Sequence, residues 1–131
     1  FYLYKHYAII TSSKMLAQKK LKFSCKIWIE YKRKPLLGKG GAEILEQIEK
    51  EESISKAAKK LGMSYRYVWS YLQKIEKTIG EPIVETYRGG RSGGGGAKLT
   101  KLGRSLLDEY KRAESYLDEV LTAREKQVKL Q

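Results

Sequence analysis

The sequence predicts a mainly α protein with a small β component, and three observations carry that prediction. Two short helical patterns meet across the turn Leu61-Gly62-Met63-Ser64, each opened by a serine and closed by a glycine. A strand-like stretch, a Gly-rich loop and a short return strand follow. The chain then runs into a long amphipathic pattern from about Lys101 to Lys126.

With 131 residues there is room for one compact domain plus an appendage. Lys and Arg number 27 against 15 acids, a formal charge of +12 that favours a polyanionic partner. Residues 1–37 hold nine Lys/Arg and one acid, Glu30, whereas residues 105–131 hold five and six. A basic body with a nearly neutral tail fits a binding domain that carries an association element. Cys25 is the only cysteine and His6 the only histidine. No internal disulfide, cysteine-built zinc site or triad chemistry follows from such a set, so no catalytic residue, metal or cofactor is expected. No apolar run reaches transmembrane length and the start lacks a signal-peptide core, so the expected location is cytoplasmic, with no membrane partner.

In chain order, residues 1–21 show no period and read as a poorly ordered basic N-terminal arm. From Phe23 the chain alternates, with Phe23, Cys25, Ile27, Ile29 and Tyr31 on one side and Ser24, Lys26, Glu30 and Lys32 on the other, which predicts a half-buried strand. Trp28 breaks the polar side and is expected to cover a dimer partner or a neighbouring helix. Lys32-Arg33-Lys34-Pro35 should end the strand, and Gly38-Lys39-Gly40-Gly41 should be a loop. Ala42 to about Glu52 reads as a helix with Ile44, Leu45 and Ile48 inward. Ser53 caps a second helix, Ile54 to Leu61, whose Ala57 and Ala58 permit close packing.

The helix after Ser64 has two unlike faces. Val68, Leu72, Ile75 and Ile79 fall at spacings of 4, 3 and 4 and form the buried stripe. The opposite face carries Tyr65, Arg66, Tyr67, Ser70, Gln73, Lys74 and Lys77, with no carboxylate before Glu76. An ordinary solvated basic face gives the same pattern. What favours nucleic acid is the setting: two helices joined by a tight Gly turn, the second polar at its N-terminus, make a helix-turn-helix. Trp69 and Tyr71 are expected to pack in the core or at its rim.

Past Gly80, Pro82 stops the helix and Ile83 to Tyr87 reads as a strand. Six of the twelve glycines then fall between residues 89 and 96, in a loop with Arg88, Arg91 and Lys98 around it. Strand, basic Gly-rich loop and return strand make a β-hairpin wing whose backbone can approach phosphates. A flexible linker shares that composition. A phosphate-binding P-loop does not, because its G-x-x-x-x-G-K-[ST] order is absent. Thr100 caps the last helix. Leu102, Leu106, Tyr110, Ala113, Leu117 and Val120 recur along it at spacings of 3 or 4, with Leu107, Tyr116 and Leu121 alongside. A stripe this wide predicts pairing with the same helix of a second chain.

The run Glu52-Ser53-Ile54-Ser55-Lys56-Ala57-Ala58-Lys59-Lys60-Leu61-Gly62-Met63-Ser64-Tyr65, then Trp69, Pro82-Ile83-Val84-Glu85 and the glycines leading into Leu99-Thr100-Lys101-Leu102-Gly103, resembles the N-terminal DNA-binding domain of the ModE family. Those are molybdate-responsive transcription regulators. The helix-turn-helix part resembles the LysR family more distantly. The resemblance spans roughly residues 23–125 and implies a winged helix-turn-helix that binds DNA as a dimer. It does not imply molybdate sensing in this chain, because the C-terminal oxyanion-binding domains of full-length regulators have no counterpart before Gln131.

The expected architecture is a winged helix-turn-helix with an N-terminal strand and a long C-terminal dimerisation helix. Its parts are the arm (residues 1–21), a DNA-binding domain (residues 22–100) and a dimerisation helix (residues 101–131). The expected partners are double-stranded DNA and a second copy of the chain; no small-molecule ligand is readable. The helix at Ser64 would enter the major groove, with Arg66 placed for guanine and Tyr65, Tyr67, Ser70 and Lys74 divided between base edges and phosphates. Ser53 and Ser55 would offer amides and hydroxyls to a phosphate, and Arg88, Arg91 and Lys98 would hold the flanking backbone or minor groove. Dimerisation falls to Trp28, Leu106, Tyr110, Ala113, Leu117, Val120 and Leu121. Two alternatives remain: a sequence-neutral architectural DNA-binding protein, and a winged helix used for protein–protein assembly.

Overall fold

A computed structural model describes residues 21–89 and 95–130; of the arm expected at residues 1–21 only Leu21 is among them, and the wing residue Arg91 lies outside. Strands β1 (Ile29–Tyr31) and β2 (Lys34–Leu37) form an antiparallel hairpin. Helices α1 (Lys39–Glu51), α2 (Ile54–Leu61) and α3 (Tyr65–Ile79) follow. A second antiparallel hairpin, β3 (Val84–Tyr87) with β4 (Gly96–Leu99), leads into α4 (Lys101–Lys126). The protein is thus mainly α with a small β component, a winged helix-turn-helix with a long C-terminal helix. Residues 26–115 make one unit; the described residues 21–25 and 116–130 belong to another.

Local chemistry explains the helix ends. Ser53 Oγ accepts from the Lys56 amide at 3.1 Å and Ser64 Oγ from the Tyr67 amide at 3.0 Å, each satisfying an amide that the first turn leaves unpaired. Gly62 and Gly80 close their helices in the left-handed conformation. Thr100 caps α4, accepting from the Gly103 amide at 3.1 Å while its own hydroxyl donates to the Pro82 carbonyl at 2.8 Å.

Inside the 26–115 unit, Ile44, Leu45 and Ile48 of α1 meet Ala57 and Ala58 of α2 and Val68, Leu72 and Ile75 of α3. Leu36 and Leu37 of β2, Ile83, Ala97 and Leu99 of the second hairpin, and Leu107 and Tyr110 of α4 complete that core. Each fully buried Leu or Ile contributes roughly 1.5–3 kcal/mol relative to exposure. Arg104 pairs with Glu49 at 3.2 Å and Lys111 with Glu46 at 3.3 Å, adding a polar seam between α4 and α1. Desolvation raises the Glu46 carboxyl, but Lys111 and Lys50 beside it leave it below its ordinary value. Its small contribution to stability is therefore present above the ordinary carboxylate range and lost as the pH falls through the lowered pKa.

Three sequence expectations are corrected. The strand expected from Phe23 is limited to Ile29–Tyr31, because the chain reverses at Lys32-Arg33 and Lys34–Leu37 returns as its partner. Pro35 sits in that partner, which a two-stranded sheet allows, since each strand has a free edge. Gly40 and Gly41 belong to the first turns of α1, where any Cβ on Gly41 would fall 2.8 Å from the Tyr71 ring. Tyr110, assigned to dimerisation, is only 3% exposed and packs in the core of its own chain. Trp28 is exposed and its indole Nε1 donates to Glu30 Oε1 at 3.0 Å.

The hairpin β3–β4 is fastened at several points. Glu76 Oε1 accepts from the amides of Ile83 and Val84 at 2.9 and 3.3 Å. The Ala97 amide donates to the Glu52 carbonyl at 3.0 Å, and the Thr100 amide to the Ile83 carbonyl at 3.0 Å. Replacing Glu76 by Ala strands both strand-entry amides and should lower stability by about 1–3 kcal/mol in urea unfolding, with Glu76→Gln recovering most of it. In Gly103→Ala the new methyl would run into the Ile83 carbonyl, and a loss of about 1–3 kcal/mol in the same assay is expected.

Candidate nucleic-acid interface

The exposed face of α3 follows from its buried one. With Val68, Leu72 and Ile75 turned into the core, the 3.6-residue period turns Arg66, Ser70, Gln73, Lys74 and Lys77 outward, and all are exposed. Tyr65, Tyr67 and Trp69 are exposed as well. Trp69, expected in the core or at its rim, is 42% exposed and stacks on Tyr65 with ring planes 8° apart and centroids 6.4 Å apart. The pair is the i, i+4 neighbour contact of a helix surface. Tyr71 keeps its expected role at the rim of the core, half-buried and tilted 43° against Tyr67. Burial raises its pKa, Tyr67 adds to that, and the backbone of Gly41 and Gly38 beside its hydroxyl pulls the other way.

The remaining candidates are distributed around this face. Ser64 and Ser53 already spend one oxygen lone pair on a helix cap, while Ser55 lies exposed in the first turn of α2. Their hydroxyl hydrogens are still free to donate to an anion. Arg88 is exposed at the end of β3. Lys98 is exposed on β4 directly opposite Glu85, and its Nζ lies 3.6 Å from Glu85 Oε1. So exposed a pair is worth about 0–1 kcal/mol, little obstacle to exchange for a phosphate. Among the described residues, no ion pair engages Arg66, Lys74, Lys77 or Arg88. An open groove lies along the C-terminal half of α3, lined by Ser70, Gln73, Lys74, Glu76, Lys77 and Glu81.

The dimerisation candidates divide. Leu106 is half-buried and Tyr110 fully so within the 26–115 unit, and Ala113 is exposed. In the other unit Leu117 and Leu121 are half-buried, whereas Tyr116 is 67% and Val120 52% exposed. There the Phe23 amide donates to Glu125 Oε1 at 2.7 Å. Among the described residues no group of His, Cys, Asp and Glu could hold a metal ion, and no helix is long and apolar enough to cross a membrane.

Two parts of this surface were not readable from the sequence. The exposure of Trp69 was hidden because a tryptophan next to an apolar stripe ordinarily packs. Glu76, which fastens the wing, looked like one more polar residue at the end of a helix. Its sequence signal was weak: a lone carboxylate on a basic face.

Residues 41–104 match the family described as bacterial regulatory helix-turn-helix protein, lysR family. The chain is 39% identical over 71 residues to the molybdenum transport protein ModE of Azotobacter vinelandii, covering 54% of this chain and 26% of that protein. It is 36% identical over 93 residues to the molybdenum-pterin-binding protein MopB of Rhodobacter capsulatus, covering 69% and 34%. It is 40% identical over 67 residues to the transcriptional regulator ModE of Yersinia pestis, covering 51% and 25%. The chain thus spans about a third or less of the length of these relatives. Among solved structures, the BenM DBD in its complex with benA site 1 DNA superposes with a TM-score of 0.50 at 22% identity, over 66% of this chain and 94% of that one, a likeness of fold. The ModE likeness expected from the Gly-rich wing is therefore found, and residues 41–104 are similar to the helix-turn-helix domain of the lysR family.

Proposed function

We propose that this chain is a dimeric transcription regulator that binds a specific site in double-stranded DNA through α3 and the Gly-rich wing. The observation that carries the reading is the exposed face of α3. It presents a guanidinium, a serine hydroxyl, two ammonium groups and flat aromatics, none of them tied up by a described carboxylate. That is the donor set that base edges and phosphates require. A relative of 40% identity named a transcriptional regulator supports it, as does the net charge of +12. In this reading residues 22–100 form the DNA-binding domain, the helix from Lys101 brings two copies together, and the protein acts on cytoplasmic DNA. Arg66 contacts a guanine; Tyr65, Tyr67, Ser70 and Lys74 share base edges and phosphates. Ser53, Ser55, Ser64, Arg88, Arg91 and Lys98 hold the backbone. Tyr116 and Val120 supply the apolar surface that a second copy covers. A sequence-neutral architectural role draws on the same charge, and the specificity ratio separates the two readings.

Anisotropy titrations on the DNA upstream of its own gene and on random duplex, across a salt series, test the reading. A preference of about a thousandfold or more for one dyad-symmetric site is expected; equal binding to both would establish the architectural role. Arg66→Ala should cost about 1–3 kcal/mol on the preferred site and relax its sequence. Arg88→Ala should weaken all sequences alike and lower the salt slope by about one. Identical behaviour of the two variants would refute the division between base reading and phosphate holding. Tyr116→Glu with Val120→Glu should yield monomers in light scattering; a dimer that survives places the contact elsewhere.

A further inference from the structure

The hairpin β1–β2 carries a cationic tip for which α3 and the wing have no use. Its two-residue loop is Lys32-Arg33, with φ of 50° and 66°. Positive φ at both loop positions is the habit of a type I′ turn, which favours Asn-Gly because a side chain with a Cβ resists that region. Two long cations are therefore a poor choice for the turn itself, and backbone held in such regions concentrates at functional sites. Lys34 follows at the start of β2, and all three residues are exposed. The Lys32 ammonium lies 5.4 Å from the Tyr31 ring centroid, and no described carboxylate pairs with any of the three. Glu30, the nearest acid in sequence, accepts instead from the Trp28 indole. On the other hairpin, by contrast, Lys98 is matched by Glu85.

Position gives the tip its meaning. Strand β2 packs against α3, and Pro35 to Gly38 share a small cleft with Lys74 on the exposed face of that helix. The hairpin therefore leaves the domain beside the surface that would meet DNA. We propose that Lys32, Arg33 and Lys34 form a further contact to duplex DNA, holding backbone phosphates beside the segment that α3 enters. The guanidinium can bind two phosphate oxygens at once, and the ammonium groups act as point charges. Such contacts set register and affinity and carry no base information. The proposal rests on the reading of the chain as a DNA-binding protein.

The test is a salt series of anisotropy titrations with the full chain on random-sequence duplex and on the preferred site. The double variant Lys32→Asn/Arg33→Gly removes both charges and installs the pair that this turn favours, so its unfolding midpoint should equal or exceed that of the unaltered chain. Its slope of log affinity against log salt should fall by about two, with the same fold-loss on both duplexes. A control, Lys50→Ala/Arg112→Ala, removes two cations that pair with Glu46 and Glu109, and its slope should not change. An unchanged slope in the hairpin variant, or an equal fall in the control, overturns the assignment and leaves the DNA-binding reading standing. An unaltered chain without salt-dependent duplex binding overturns both. Should the double variant unfold more easily, Lys34→Gln decides: a slope lower by about one supports the contact, and no change refutes it.

Discussion

Glu76 is the pivot of the domain. Its carboxylate, on the last turns of α3, accepts from two consecutive amides at the entry to β3. Ile83 is buried in the core and Val84 half-buried beside it, where an unpaired N–H would cost about 1–3 kcal/mol. The same residue therefore satisfies the backbone of one hairpin and fixes that hairpin's position on the helix beside it. Thr100 closes the arrangement from the other side: its amide meets Ile83, its hydroxyl meets Pro82, and its oxygen caps α4. The close approach that this demands is why position 103 is glycine, since a Cβ there would strike Ile83. Helix α3, the wing and the first turn of α4 are fastened together because Glu76, Pro82, Ile83, Val84, Thr100 and Gly103 answer one another's polar groups.

Most of the fold was legible because it rests on local chemistry. Ser53, Ser64 and Thr100 act as caps, Gly62 and Gly80 as stops, and the apolar stripe of α3 faces the core. These follow from side chains within four residues of one another. What was not legible depends on contacts distant in sequence. The alternation from Phe23 looked like one long strand, yet the reversal at Lys32-Arg33 carries neither glycine nor asparagine to announce it. Gly41 looked like loop and is helix, and the reason for the glycine is Tyr71, far along the chain, which lies too close for a Cβ. Tyr110 had the spacing of an interface residue and the burial of a core one; periodicity cannot separate a stripe that meets its own domain from one that meets another chain. At the candidate site the sequence named the polar side chains of α3 correctly as exposed, and missed the exposure of Trp69 and the pairing of Lys98 with Glu85.

Charge is distributed to match this division. The two hairpins flank the three helices α1–α3 in sequence and pack onto them through β2 against α3 and β4 against α1. Electrostatic attraction to a polyanion is long-ranged and indifferent to sequence, so basic hairpins confer affinity wherever the duplex lies. Discrimination has to come from a helix whose donors sit at fixed positions. In the proposed reading the rigid fastening by Glu76 and Thr100 links the two: a phosphate held by a wing places the α3 side chains in register with base edges.

The stacked pair on α3 bears on how much that registration costs. A surface helix gains nothing in water from leaving a tryptophan 42% exposed. Stacked against Tyr65, however, the Trp69 indole is restrained before any partner arrives. Binding then need not order these two side chains, and each rotamer-rich side chain immobilised at an interface costs about 0.5–1.5 kcal/mol. The Ser64 cap acts in the same direction by fixing the first turn, from which Tyr65 and Arg66 project. In the proposed reading the long chains of Arg66, Gln73, Lys74 and Lys77 are left to be ordered by the partner. Of these, Arg66 stands on the capped turn, and its guanidinium can grip a guanine edge through two hydrogen bonds, which an ammonium cannot. In the proposed reading, discrimination therefore rests on Arg66 and its ordered aromatic neighbours, while the two lysines further along α3 contribute charge.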